Sequence, residues 1–428
     1  MTADEAVKLV KSGDNIFVQG SSSIPEALIA ALARRGKELR GVKLYNAFAL
    51  ARRQSPLCSQ SLRDSFLIDS FFVSNAVRDW VNRGYATTTP RFFGQVPMLF
   101  RDGTIKLDVA FINCSEPNEE GYVSCGVSSD LTPSAIECSK IIVAQINPLM
   151  PFTYGDSVLH MSKIDALVRV EDPLAETTTA LPGEKELAIG RYVAENIPDK
   201  AVLQVGIGAI PNAVLSSQRE HKHLGLHTEA MTDGMVDLIE CGVIDNSAKE
   251  LMPGKSVASL ALGTRRLSEF LNYNKDVVFR DIAWVNDPFV IAQNSNMVAI
   301  NSAIEIDLSG QVCADSIGTR IYSGVGGQHD FVYGSSRSNG GQSFITMLAT
   351  TSRGASKIKP VLTPGSGVVT TRFQTNWVVT EYGAVNLRGK NMLERAKLLT
   401  SIAAPQFREE LDRAAFEMLG YAYRHYTF

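Results

Sequence analysis

A chain of 428 residues, 45% hydrophobic and 20% charged, is long enough to bury two cores and shows no compositional bias toward disorder. Its net charge of -3 lacks the basic excess of a nucleic-acid-binding protein, and no apolar run reaches the roughly 18 residues a membrane helix needs. The opening Met1-Thr-Ala-Asp-Glu has neither a basic n-region nor an apolar h-region, so a cytoplasmic location with no nucleic-acid or membrane partner is expected.

The first β-prone apolar run, Asp14 to Val18, reaches Gly20 and the loop Ser21-Ser-Ser-Ile24-Pro25. A helix is predicted from Pro25 to Arg35, with the proline in the first turn, where its missing N–H costs nothing. Further strands are predicted at Val42 to Asn46, Leu107 to Ile112 and Lys140 to Gln145. Between Glu171 and Glu184, Asp172-Pro173, Thr177-Thr-Thr and Leu181-Pro-Gly183 interrupt the hydrophobic periodicity and mark a junction. Beyond it, strands are predicted at Ala201 to Val205, Leu224 to Thr228, Met297 to Ser302 and Trp377 to Thr380, and helices at Met392 to Leu399 and Pro405 to Leu419. This alternation predicts an α/β protein with mostly parallel sheets, whose ligands gather at the carboxyl ends of the strands.

One motif occurs twice, with its first glycines 186 residues apart: Ile16-Phe-Val-Gln-Gly20-Ser-Ser-Ser-Ile24-Pro25 and Val202-Leu-Gln-Val-Gly206-Ile-Gly-Ala-Ile210-Pro211. A second pair of segments repeats at nearly the same offset. Val109-Ala-Phe-Ile-Asn113 runs on through Glu116 to Gly121, and Val298-Ala-Ile-Asn301 through Glu305 to Gly310. The order predicts an internal duplication into two similar α/β domains, residues 1–182 and 183–428. Only the second copy is followed by a carboxylate at a predicted strand end, Glu229.

The loop from Gly206 to Pro211 begins Gly-x-Gly but has no third glycine, and the chain has no Gly-x-x-x-x-Gly-Lys-Ser/Thr, which argues against nicotinamide and nucleoside-triphosphate chemistry. Its glycines let backbone approach a ligand, and N–H groups at a helix start face negative charge; a plain strand-to-helix turn is the alternative. The stretch Ser323-Gly-Val-Gly-Gly327-Gln-His-Asp-Phe331, followed by Arg337-Ser-Asn-Gly-Gly341, is costly to order as an ordinary connection, so ligand contact is expected there, with a flexible hairpin as the alternative. His221, His223 and His227 read as a polar turn entering a strand rather than a metal site. The six cysteines form no Cys-x-x-Cys pair and read as reduced thiols.

Five ordered motifs together resemble the acetyl-CoA hydrolase/transferase family, most of all its 4-hydroxybutyrate and butyryl-CoA:acetate CoA-transferases. They are Gly206 to Pro211, His227-Thr-Glu229-Ala-Met-Thr-Asp-Gly234, Val298 to Asp307, Ser323 to Phe331 and Val379-Thr-Glu-Tyr-Gly-Ala-Val-Asn-Leu-Arg-Gly389. Ser115 to Ser124 and Gly155 to Asp165 match in the first half, so the resemblance covers nearly the whole chain.

The resemblance implies two NagB/RpiA/CoA-transferase-like domains with the site in the cleft between them, and a homodimer is expected. It implies Glu229 as a nucleophile that forms a glutamyl-CoA thioester in ping-pong exchange between a short-chain acyl-CoA and a carboxylate such as acetate, butyrate or 4-hydroxybutyrate. CoA is then a substrate, and no metal or permanently bound cofactor is expected. An ordinary Glu, of pKa near ~4.3, is ionised at neutral pH and needs no base to attack a thioester. By the same resemblance the backbone N–H groups of Ile207 and Gly327 are oxyanion donors, and Gly206, Ile207, Gly208, Ala209, Ile210, Ile304, Ser323 and Asn339 contact CoA. Asn286 and Glu381 support the thioester. Family members often carry Lys in place of Asn339, which leaves Arg337 as a substitute cation.

Other carboxylates have plainer readings. Glu305 and Asp307 alternate with Ile304 and Ile306 and are expected on one side of a strand in a structural role. Glu116 either lines the cleft or caps a turn. In the first half Tyr45-Asn-Ala-Phe stands where Thr228-Glu229 stands in the second, so that half is expected to shape the acyl pocket, with a contribution from Gln95-Val-Pro-Met98. An acyl-CoA hydrolase using the same Glu229 and a non-catalytic ligand sensor remain as alternatives. Acetate-dependent exchange against simple thioester loss separates the first from a transferase, and a covalent CoA adduct excludes the second.

Overall fold

The computed structural model describes residues 1–50, 55–177 and 181–425. Twelve strands build its two main sheets. The first contains β1 (Asn15–Val18), β2 (Val42–Asn46), β3 (Phe66–Ser70), β4 (Val109–Cys114), β5 (Ile141–Ile146) and β6 (Ala166–Arg169). The second contains β7 (Val202–Val205), β8 (Gly225–Leu226), β9 (Met297–Ser302), β10 (Gln342–Thr346), β11 (Trp377–Thr380) and β12 (Gly383–Asn386). Three helices matter for the site: α1 (Glu26–Arg34), α2 (Ala209–Ser216) and α3 (Gln328–Arg337).

The first sheet is ordered β3-β2-β1-β4-β5-β6 and is parallel throughout. The second is ordered β8-β7-β9-β10-β11-β12, parallel except for β12. From β2 to β6 and from β8 to β11 the two orders coincide strand for strand, so the duplication read from the motifs is also a duplication of topology. All six residues of β4 and all four of β7 are buried, which explains why these strands are continuous apolar runs rather than alternating ones. In both sheets the order reverses beside the strand that feeds the glycine loop, β1 in one and β7 in the other. Such a reversal opens a crevice at the carboxyl ends.

Side contacts lock the halves together. Tyr154–Gly155 pairs in parallel with Val277–Phe279, and Ser128 bridges Leu260. Arg78 Nε donates to Tyr322 O, and Phe93 N–H to Gly326 O. In the described part of 171–183 no helix or strand forms, and a helix begins at Glu184; Thr178, Thr179 and Ala180 lie outside the described residues.

One expected element and one alternative reading differ. The predicted strand Leu224 to Thr228 shrinks to Gly225–Leu226, because His227 N–H still reaches Leu203 O while Thr228 N–H has turned to Val257 O. The glycine-rich stretch is not a hairpin: from Gln328 it is the helix α3.

Candidate active site

Glu229 follows β8 by three residues, at the carboxyl edge of the second sheet, and its backbone carbonyl is fixed by the N–H groups of Ser259 and Leu260. Its Oε2 accepts from Asn286 Nδ2 at 2.7 Å. Gly327, immediately before α3, lies against the same carboxylate: a Cβ there would stand 2.2 Å from Glu229 Oε2 and 2.5 Å from Asn286 Nδ2. The Gly327 backbone N–H also favours the ionised Glu229 carboxyl, lowering its pKa against the effect of burial. Gly326, at φ +55°, faces the Phe72 ring from the first half. The glycines of this segment are therefore used for close approach, to Glu229 at one point and to Phe71 and Phe72 at Gly324.

The expectation of an ordinary carboxylate does not hold. Glu229 keeps part of its surface exposed, but protein packs its other sides. That desolvation pushes its carboxyl up to about 7, and the Asp130 charge adds to the effect, against the pull of the Asn286 amide and the Gly327 N–H. Two more buried acids surround it. Asp330 is driven up to about 7 by burial and by the Glu229 charge, and Asp130 to about 6, chiefly by burial. At neutral pH this cluster is partly protonated.

The other predicted residues fall into two groups. Gly206, Ile207, Gly208, Ala209 and Ile210 form the turn from β7 into α2 at the same carboxyl edge. Gly208 sits at φ +127°, which requires glycine, and gives α2 no side-chain cap, so the first N–H groups of that helix have no intrahelical partner. Ile207 is 44% exposed. The first-half copy of this loop is closed instead: a Cβ on Gly20 would meet Ala47 O at 1.9 Å, and Ser21, Ser22 and Ser23 are buried. Ile304 follows β9, and Glu381 follows β11, where its Oε2 accepts from Ala349 N–H at 2.7 Å and Lys185 Nζ lies 3.5 Å from Oε1. Ser323 precedes the glycines and donates to Ala314 O.

Asn339 and Arg337 stand apart from these, at the far end of the ten-residue α3, about 15 Å along the axis from Gly327. Arg337 lies over the rings of Phe289 and Tyr333.

The structural readings of the remaining groups fit their surroundings. Glu305 accepts from Thr363 N–H and Oγ1, and Asp307 closes the turn at Ser309 and Gln311. Glu116 pairs with Arg169. His221, His223 and His227 have three separate partners, Ile197 O, Asp245 and Val285 O. A cavity of about 580 Å³ in the first half, lined by Val18, Ile24, Ala30, Leu44 and Val77, does not include Glu229.

Sequence reasoning missed Asp330, Asp130, Gly94 and Phe72. Asp330 lay inside a quoted motif and three residues after Gly327, so its carboxylate was visible. The others gave no signal, since only the folded chain brings the first half to Glu229.

Residues 1–177 match the acetyl-CoA hydrolase/transferase N-terminal domain, and residues 263–415 match its C-terminal domain. The chain belongs to the acetyl-CoA hydrolase/transferase family. Within that family it is 44% identical over 421 residues to a succinyl-CoA:acetate/propanoyl-CoA:succinate CoA transferase of Fasciola hepatica, covering 97% of this chain and 87% of that protein. It is 41% identical over 412 residues to the 4-hydroxybutyrate coenzyme A transferase of Clostridium kluyveri, covering 96% of each. Among solved structures of similar chains, RipA from Yersinia pestis superposes with a TM-score of 0.92 at 33% identity, covering 98% of this chain and 97% of that one.

Proposed function

We propose that the protein, a CoA-transferase of this family, moves CoA between a short-chain acyl-CoA and a carboxylate acid through a thioester on Glu229. The observation that carries this reading is the placement of the Glu229 carboxylate against the Asn286 amide and the backbone of Gly327, with Phe71 and Phe72 of the first half packed on the neighbouring glycines.

In its ionised form, a Glu229 oxygen attacks the thioester carbonyl carbon. The C–S bond breaks, leaving a glutamyl-acyl anhydride and CoA thiolate. The thiolate then attacks the glutamyl carbonyl and expels the first acid as its carboxylate, which leaves CoA on Glu229. A second carboxylate attacks that thioester, the thiolate leaves, and its return to the acyl carbon releases the new acyl-CoA and restores Glu229. No net proton is consumed and thioester energy is conserved. Each addition builds an oxyanion, and a donor aimed at it is worth about 2.7–4 kcal/mol. We assign those donors to Gly327 and Ile207, each next to glycine-dependent backbone.

Ala209 and Ile210, at the open start of α2, Ile304 and Glu381 along the same sheet edge, and Ser323 before the glycine turn fit the CoA arm. Arg337 and Asn339, about 15 Å away along α3, fit its distal phosphates. Family relatives act on succinyl-, 4-hydroxybutyryl- and butyryl-CoA, so acids of this size are the substrates we expect. The test is a matrix of acyl-CoAs against carboxylates. Transfer predicts new acyl-CoA that appears only with an added acid; thioester loss in water at the same rate without acid would contradict it.

A further inference from the structure

We propose that Asp330 is a positioning residue for Glu229: through Asn286 it fixes the amide that grips Glu229, and it ties that grip to the first-half loop Phe92 to Gln95. The inference rests on the ping-pong reading above.

Asn286 Nδ2 carries two hydrogens, and each has a carboxylate: Glu229 Oε2 at 2.7 Å and Asp330 Oδ2 at 3.4 Å. Turned over, the amide would press its oxygen against both acids. Asn286 Oδ1 is buried with no hydrogen-bond partner, so nothing on its other side sets the orientation. The two carboxylates set it. Asp330 Oδ2 in turn accepts from Gly94 N–H at 3.1 Å. Gly94 comes so close that a Cβ there would stand 2.9 Å from Asn286 Cβ, and neighbouring Phe93 N–H donates to Gly326 O at 3.2 Å. One loop of the first half thus touches both the glycine turn and the acid that orients Asn286.

A helix-dipole role does not account for Asp330. It lies in the first turn of α3, but its carboxylate is buried and its hydrogen bonds go to Gly94 and Asn286, not to its own helix. The charged groups facing the pair are Asp130 toward Glu229 and Asp287 toward Asp330; Arg101 is paired with Asp281 and Glu137. From α3 itself, His329 stacks on Phe92. Two acids on one amide titrate as a pair, so the ionisation of Glu229 depends on Asp330.

Asp330→Asn keeps an acceptor and removes the charge; Asp330→Ala removes both. In the full-length protein, formation of the Glu229-CoA adduct from acetyl-CoA is followed from pH 5 to 9. For Asp330→Asn the midpoint is expected to fall by at least about half a pH unit, with Asp130 left as the remaining acid facing Glu229. For Asp330→Ala kcat is expected to fall about 10–100-fold, with KM for acetyl-CoA within about twofold, the signature of a misplaced nucleophile. An unchanged midpoint in Asp330→Asn overturns the proposal, as does an Asp330→Ala enzyme that loses thermal stability but keeps kcat. If the wild type forms no adduct on Glu229, the ping-pong reading fails first and the inference with it.

Discussion

Replacing Gly327 by Ala tests the geometry of the site with one methyl group. The residue has φ near −92°, which alanine adopts freely, so the backbone itself permits the change. What opposes it is space. The added Cβ would fall 2.2 Å from Glu229 Oε2 and 2.5 Å from Asn286 Nδ2, well inside contact distance, and one of the three groups must move. If Glu229 and the Gly327 N–H part by an ångström, the oxyanion loses a donor and the nucleophile its aim. The expected slowing of adduct formation is about 10²–10³, or about 2.7–4 kcal/mol. Rapid-quench single turnover with acetyl-CoA measures it, beside a melting curve that separates misfolding from misplacement. Gly208→Ala is the comparison: its φ of +127° strains any L-residue, but apart from Pro211 at 3.9 Å the site is open, so its cost appears in CoA affinity and stability rather than in the chemical step. A Gly327→Ala enzyme that is fully folded and within threefold of wild type would refute the placement of Gly327.

Glu229→Ala is expected to abolish transfer and leave CoA affinity within a few-fold, measured by calorimetry, because the proposed CoA contacts come from other loops. With ionised Glu229 as the proposed nucleophile and its carboxyl raised to about 7, kcat/KM is expected to fall up to tenfold per unit as pH drops below about 7; a flat profile from pH 5 to 8 would contradict the burial effect. The linked stability has the opposite sign. A raised carboxyl pKa contributes stability that is fully present below the unfolded value near ~4.3 and is lost as pH rises through about 7, so Glu229→Gln should melt above wild type at pH 8 and lose most of that advantage by pH 5. Its gain at pH 8 is on the order of 2 kcal/mol, allowing for the open side of the carboxylate. Prolonged chelation should leave the rate unchanged, because His221, His223 and His227 bind three separate partners; activity restored only by added zinc would show otherwise.

The parts of the fold that were legible in the sequence are those written locally. Met297–Ser302 and Trp377–Thr380 lie where their apolar runs place them, and the paired Gly-to-Pro motifs anticipate two sheets of matching order. Glu229 stood out because a carboxylate followed only one copy. What was hidden depends on partners distant in sequence. The two-residue β8 reflects a change of partner from Leu203 to Val257, and the raised pKa of Glu229 comes from burial and from Asp130, 99 residues earlier. Asp330 was in plain view within a motif, but its role rests on Gly94 and Asn286, and no spacing reveals those contacts.

The covalent intermediate tests the central claim most directly. Incubated with acyl-CoA and no acceptor acid, the enzyme should accumulate CoA on the peptide that contains Glu229, seen by mass spectrometry as the mass of CoA less one water, without the acyl group. Added carboxylate should discharge it with release of the new acyl-CoA. The absence of any adduct, or an adduct on another acid such as Glu305, would contradict the account.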